Sequence, residues 1–284
     1  MTTTNSLGRR AFLHRALSGI GACAGATALG GAGLLPRVAR AGGPRVLILG
    51  DSMIAGALGL FLENGLRKEH GYEVLRYGKS STGLARPDFF DWMKEARRQL
   101  EAFPDPDAVV AMFGGNDVQG LHMGKKGKGQ TEWIVWQDEG WAAEYARRVT
   151  AFADIVAPEG RPLFWIGMPV MRPEKFHARV QRVNTIARAE MAIRPGGVFV
   201  DIWRLLADQG KYSDRLEIDE GGKLKKIRVR AGDGIHLSVA GAHVVEAHVR
   251  ERVVARLSGE SETLLADNEA PEGADAGEAV AQGG

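Results

Sequence analysis

Cysteine is almost missing from this chain. Its 284 residues include one, Cys23, and none follows it. The remainder can have no disulfide framework, no thiolate metal ligand and no thiol nucleophile. Acids are missing from residues 1–43, which carry five arginines (Arg9, Arg10, Arg15, Arg37 and Arg40). Bases are missing from residues 258–284, which carry seven acids. Residues 44–257 are left with 32 basic and 28 acidic side chains. That balance is too even for a nucleic-acid footprint, which needs a clustered basic face. Two nucleotide-binding signatures are also absent: there is no Walker loop, and no Gly-x-Gly-x-x-Gly follows the first strand-like run. No Gly-x-Ser-x-Gly is present, which excludes the nucleophile elbow of α/β-hydrolases.

The N-terminal 41 residues read as an export signal. "GRRAFLHRAL" pairs two arginines with Phe12 and Leu13, an uncharged Gly/Ala-rich run follows from Ala16 to Leu35, and "ARA" closes it at 39–41. The pattern resembles a twin-arginine signal cleaved near Gly42, so a periplasmic or otherwise exported protein is expected. An uncleaved signal segment would be the one route to membrane contact. The acidic, Ala/Gly-rich tail 258–284 reads as disordered.

Between these ends, strand-like apolar runs alternate with amphipathic stretches. "RVLILG" (45–50), "YEVLRYG" (72–78), "DAVVAMFG" (107–114), "PLFWIG" (162–167) and "GVFVDI" (197–202) read as buried strands. Phe176, Val180, Val183 and Ala187 mark one face of a helix that begins near Pro173. Val244, Val245, His248 and Val249 belong to the last helix. Such alternation predicts one domain over 42–257: a three-layer α/β/α unit with a five-stranded parallel sheet, flavodoxin-like in layout. Two stretches break the rhythm. Residues 118–140 are Gly/Lys-rich and then aromatic, and 215–234 read as a hairpin turning at "EGG".

Ligands of open parallel sheets bind beyond the carboxyl ends of the strands. Four such positions carry polar residues or glycine here: Gly50-Asp51-Ser52, "GKSSTG" (78–83), "GGND" (114–117) and "DGIH" (233–236). Each has a plain local explanation. Ser and Asp are favoured helix N-caps, Asn-Asp and "AGDG" make turns, and a lone histidine usually packs. Four suitable motifs at the ends of the right elements favour a shared site.

In type and order the four stretches resemble the sequence blocks of the SGNH, or GDSL-type, serine hydrolases, in particular an uncharacterised bacterial subfamily of exported members. The resemblance implies a catalytic Ser52, started by a helix and activated by His236, with Asp233 holding the imidazole. It implies an oxyanion hole built from the Ser52 N–H, a glycine N–H after the second strand, and the Asn116 side chain. Gly83 is the glycine favoured, with Gly78 as the alternative. No cofactor is expected. No metal is expected either, since His243 and His248 lie five apart and face different ways.

The implied activity is that of a serine esterase or O-acyltransferase working through an acyl-Ser52 intermediate. By resemblance its substrates are O-acyl esters, foremost O-acetyl, of cell-envelope glycans. A partner in that case is a membrane acyltransferase that hands over acyl groups. Lipid or lysophospholipid esters are an alternative substrate, and a non-catalytic glycan-binding module on the same fold is the alternative from outside enzymology. Trp133 and Trp136, with Asp51, are candidate substrate contacts. The competing reading has the tryptophans packing residues 118–140 onto the domain.

Overall fold

In the computed structural model, residues 42–127 and 129–259 are described. The proposed export signal and nearly all of the acidic tail lie outside them. Strand β1 (Arg45–Gly50) leads into a short helix α1 (Ser52–Ala55) and then α2 (Ala57–His70). Next come β2 (Glu73–Gly78), α3 (Trp92–Ala102) and β3 (Ala108–Met112). A small hairpin, β4 (Leu121–Lys126) and β5 (Gln130–Ile134), precedes α4 (Gly140–Val156), β6 (Leu163–Ile166), α5 (Glu174–Ile193) and β7 (Gly197–Val200). Two further small hairpins follow, β8 (Ala207–Asp208) with β9 (Lys211–Tyr212), and β10 (Arg215–Glu220) with β11 (Lys223–Arg228). Helix α6 (Val239–Ser258) ends the described chain, with Gly259 as a left-handed cap.

The main sheet is parallel, in the order β2-β1-β3-β6-β7. This is the flavodoxin-like order, which reverses direction between β1 and β3 and opens a crevice there. Helix α2 packs with α6, while α3, α4 and α5 pack in succession, so helices cover the sheet on both faces. The core is conventional: Val46 to Leu49 and Ala108 to Met112 are fully shielded. Beside them Phe113 joins Trp92, Phe152 and Trp165 through ring contacts of 4.8, 5.0 and 5.6 Å.

The five strand-like runs match the five sheet strands to within two residues at each end. Two boundaries differ from expectation. Residues 118–140 contain an antiparallel hairpin, which their glycines and lysines concealed. Ser258 is the last residue of α6 and not the start of the tail. Among the described residues no helix is long and apolar enough to cross a membrane.

Candidate active site

The site forms at the β1/β3 crevice. Strand β1 stops at Gly50, and the Asp51 N–H bonds to the Met112 carbonyl of β3 at 3.1 Å. The Asp51 carboxylate accepts the Met53 N–H at 2.9 Å and so caps α1. With Asp51 as the cap, Ser52 becomes the first helical residue and its hydroxyl is spared for other work. It lies 2.9 Å from His236 Nε2, across 184 residues of sequence.

His236 is held by its own loop. Asp233 Oδ1 accepts the N–H groups of Ile235 and His236 at 2.8 and 2.9 Å, and Oδ2 lies 2.6 Å from His236 Nδ1. Burial would raise the Asp233 carboxyl, but the hydrogen bonds from the His236 ring and from those two N–H groups outweigh it and hold it at about 2. Asp233 is thus ionised at neutral pH and fixes the proton on Nδ1, which presents Nε2 to Ser52 as an acceptor.

Beneath this loop sits Arg230, fully buried. Its Nη1 donates to the Val170 carbonyl at 2.5 Å and its Nη2 to the Ile235 carbonyl at 2.8 Å. The Tyr212 ring lies 5.3 Å from the guanidinium, and among the described residues no carboxylate forms an ion pair with it. Burial pulls the guanidinium down to about 10, with Tyr212 and Asp233 opposing. It therefore stays charged at neutral pH, spending that charge on the carbonyls of the Asp233–His236 loop. Nothing in the letters "KKIRVRAGDG" separates Arg230 from its charged neighbours.

The other wall comes from the loops after β2 and β3. Asn116 Nδ2 donates to the Thr82 carbonyl at 3.0 Å. Asp117, fully buried, accepts the Ala85 N–H at 2.8 Å and the Tyr145 hydroxyl at 2.9 Å. Burial raises Asp117 to about 6 against those bonds. Burial also lifts Asp51 to about 7, opposed by the Met53 N–H and aided by the negative charge of Asp117. Two buried carboxyls, Asp51 and Asp117, thus lie close behind Ser52.

Ser52, His236, Asn116, Ser80 and Ser81 share a cavity of about 360 Å3, walled by Met168, Phe176 and Ile235. Neither Gly83 nor Gly78 lines this cavity. Gly83 is pressed against Asp117, whose Oδ1 would lie 2.2 Å from an added Cβ, and Gly78 against the α1 backbone, with Ala55 N at 2.3 Å. Ser81 faces the cavity instead, with φ of 62°. A non-glycine residue in the left-handed region costs energy and marks a site worth attention. Nothing in the letters "GKSSTG" tells which residue adopts it.

Asp51 borders the cavity but is 1% exposed, its carboxylate taken by the N–H groups of Met53 and Gly115. Trp136 packs on Trp141 at 4.2 Å, and the Arg182 guanidinium lies 5.1 Å from its ring. Trp133 is 41% exposed but carries the Arg86 guanidinium over its ring at 5.0 Å and lines no cavity with Ser52. Trp136 packs against the core, whereas Trp133 stays partly exposed on the β4–β5 hairpin. His243 stacks on Phe61 at 3.8 Å. Among the described residues no three His, Cys, Asp or Glu side chains converge to hold a metal ion.

A family profile described as "Protein of unknown function (DUF459)" matches residues 45–252. No curated protein matches the sequence. One solved chain, 15% identical, aligns with a TM-score of 0.52 over 77% of this chain and all of its own length, and so shares the fold. A GDSL-like lipase from Bacteroides thetaiotaomicron is 15% identical over 75% of this chain and 88% of its own, with a TM-score of 0.46. A catalytic mutant of an acetylxylan esterase from Geobacillus stearothermophilus is 16% identical over 78% and 96%, also at 0.46.

Proposed function

This chain belongs to the DUF459 family, and from its site we propose that it is a serine ester hydrolase of the SGNH type. The observation that carries the reading is the row Asp233, His236, Ser52, joined at 2.6 and 2.9 Å at the mouth of a cavity. Ser52 Oγ attacks the acyl carbon while its proton passes to His236 Nε2. The carbonyl oxygen becomes an oxyanion, met by the N–H groups of Ser52 and Ser81 and by Asn116 Nδ2. Ser81 takes the place first given to glycine, because it borders the cavity in a conformation that turns the local backbone sharply. His236 then returns the proton to the leaving alcohol. A water, deprotonated by the same imidazole, cleaves the acyl-Ser52 ester and frees the acid. A sugar hydroxyl in place of water would make the reaction an acyl transfer.

The preferred substrate is an O-acyl ester, foremost O-acetyl, of a cell-envelope glycan, met after export through the N-terminal signal. A second reading is an ester of a longer acyl chain, favoured by the apolar wall of Met168, Phe176 and Ile235. A fluorophosphonate probe tests the mechanism: wild type should be labelled and Ser52→Ala should not. Equal labelling would remove Ser52 from the chemistry. N-terminal sequencing of protein from the envelope fraction should find a chain starting near Gly42, and an intact Met1 would remove the export signal.

A further inference from the structure

A second depression, of about 230 Å3, opens beside the proposed oxyanion hole. It is lined by Ser81, Gly83, Arg86, Phe89, Asn116 and Gln119. Ser81 and Asn116 belong to both cavities. A substrate whose carbonyl lies between those two residues can therefore extend from one cavity into the other.

Three features give the depression its character. Phe89 is 61% exposed, a large aromatic face left in water close to a reactive serine. Arg86 is rigidly held: its Nε and Nη2 each bond Asp88 at 2.8 Å, and its guanidinium lies over Trp133. Asp88 in turn lies 3.6 Å from His122, which meets Trp133 edge-on at 5.1 Å. The β4–β5 hairpin thus braces Arg86 from behind. Gln119 Nε2 is fixed on the Asn116 carbonyl at 2.5 Å, which leaves its amide oxygen as an acceptor.

We propose that this depression is a subsite for an uncharged sugar ring of an O-acylated glycan. Phe89 stacks on the ring's C–H face, and Arg86 and Gln119 bond its hydroxyls. The proposal rests on the Ser52 esterase reading and adds to it where the sugar binds and what charge it carries. An alkyl chain fits poorly, because it would cover Arg86, Gln119 and Asn116 without replacing their bonds to water. A carboxylated sugar fits poorly, because the Arg86 charge is already matched by a bidentate carboxylate. The volume lies below the ~300–1,000 Å3 usual for drug-sized ligands and suits one ring.

The test compares wild type with Phe89→Ala and Phe89→Tyr on acetylated xylo-oligosaccharide, O-acetylated polygalacturonate, 4-nitrophenyl acetate and 4-nitrophenyl decanoate. Phe89 is exposed, so its removal spares the fold. The ratio of kcat/KM on the xylo-oligosaccharide to that on 4-nitrophenyl acetate should fall about tenfold in Phe89→Ala, the size of a lost aromatic contact. It should return in Phe89→Tyr. An unchanged ratio overturns the subsite. So does a larger loss on the decanoate, which would make it an alkyl site, or a wild-type preference for the polygalacturonate. Calorimetry of acetylated xylo-oligosaccharide with Ser52→Ala, with and without Phe89→Ala, reads binding apart from chemistry. If the labelling experiment fails while this binding still depends on Phe89, the esterase reading falls and the subsite stands.

Discussion

The side-chain amide of Asn116 donates to the Thr82 carbonyl at 3.0 Å, which orients the Asn116 side chain from the loop after β2. One of its two amide hydrogens is spent on this bond, and the other is available to an oxyanion in the cavity. Asn116 and Asp233 should accordingly fail in different ways. Asn116→Ala should lower kcat on a soluble acyl ester by about 10²–10³ with the acid limb of the pH–rate profile unmoved. Asp233→Asn should keep the fold and lose about 10⁴ in kcat, the size seen for the comparable change in the serine proteases, because the imidazole tautomer is no longer fixed. Circular dichroism checks the fold, and steady-state kinetics across pH checks the rest. An Asn116→Ala profile displaced along the pH axis at full plateau rate would contradict this assignment.

Ser81 holds a φ of 62°. Glycine reaches that region without penalty, whereas a β-branched residue does so at high cost. Ser81→Gly should therefore raise Tm by roughly 1–3 °C, the strain relieved being partly offset by the freer unfolded chain. Ser81→Val should lower both Tm and kcat/KM, because relaxing the backbone there reshapes the cavity wall that Ser81 lines. Thermal unfolding of the two variants decides it, and a Ser81→Val protein as stable as wild type would rule out strain at this position.

Asp51 and Asp117 give the fold a pH dependence of definite sign. Their folded values, about 7 and about 6, lie above the ordinary carboxyl value of 3.8. The native state therefore holds protons that the unfolded chain releases. This contribution to stability is fully present below about pH 4 and is lost as pH rises through 6 and 7. Each group can cost up to about 1.4 kcal/mol per pH unit while it titrates. Asp233, at about 2, acts oppositely and only in stronger acid, its contribution fading as pH falls through 2. Urea unfolding from pH 4 to 8 should show Asp51→Asn declining less than wild type. Parallel curves would mean that Asp51 stays ionised throughout.

Arg230 places a buried positive charge under the Asp233–His236 loop. The charged and titratable groups around it are Asp233 and His236 on that loop, Tyr212 on β9, Arg172, whose Nη2 bonds the Gly232 carbonyl, and His177, which lies beside Met171. Arg230→Met removes the donors that hold the Val170 and Ile235 carbonyls. kcat should then fall as the loop loses these ties. Arg230→Lys retains the charge without the fork, so its rate should fall less. An Arg230→Met protein with wild-type kcat would show that these carbonyl ties do not hold the loop.

Much of the sheet could be read in advance, because runs such as "RVLILG" and "DAVVAMFG" are apolar on both faces and bounded by glycine or proline. The same logic groups Ser52 and Asn116 at sheet-strand ends with Asp233 and His236 in the loop before the last helix. What stayed hidden depended on backbone angle or on tertiary partners. A serine at φ 62° is spelled like any other serine. The burial of Arg230 depends on carbonyls of Val170 and Ile235, which no local pattern connects to it. Trp133 and Trp136 were legible as aromatic but not as props for Arg86, Arg179 and Arg182.

The 184-position separation of Ser52 and His236 in sequence gives the site a timing as well as a shape. The proposed nucleophile is made near the start of the domain, and its proposed base arrives just before the final helix. A chain still emerging from the ribosome, or one truncated before residue 236, holds a serine with no base to activate it. Reactivity toward a serine-directed probe therefore reports completion of the whole domain, and a variant that folds only in its first half should be silent to the probe even when its sheet strands β1 to β3 are intact.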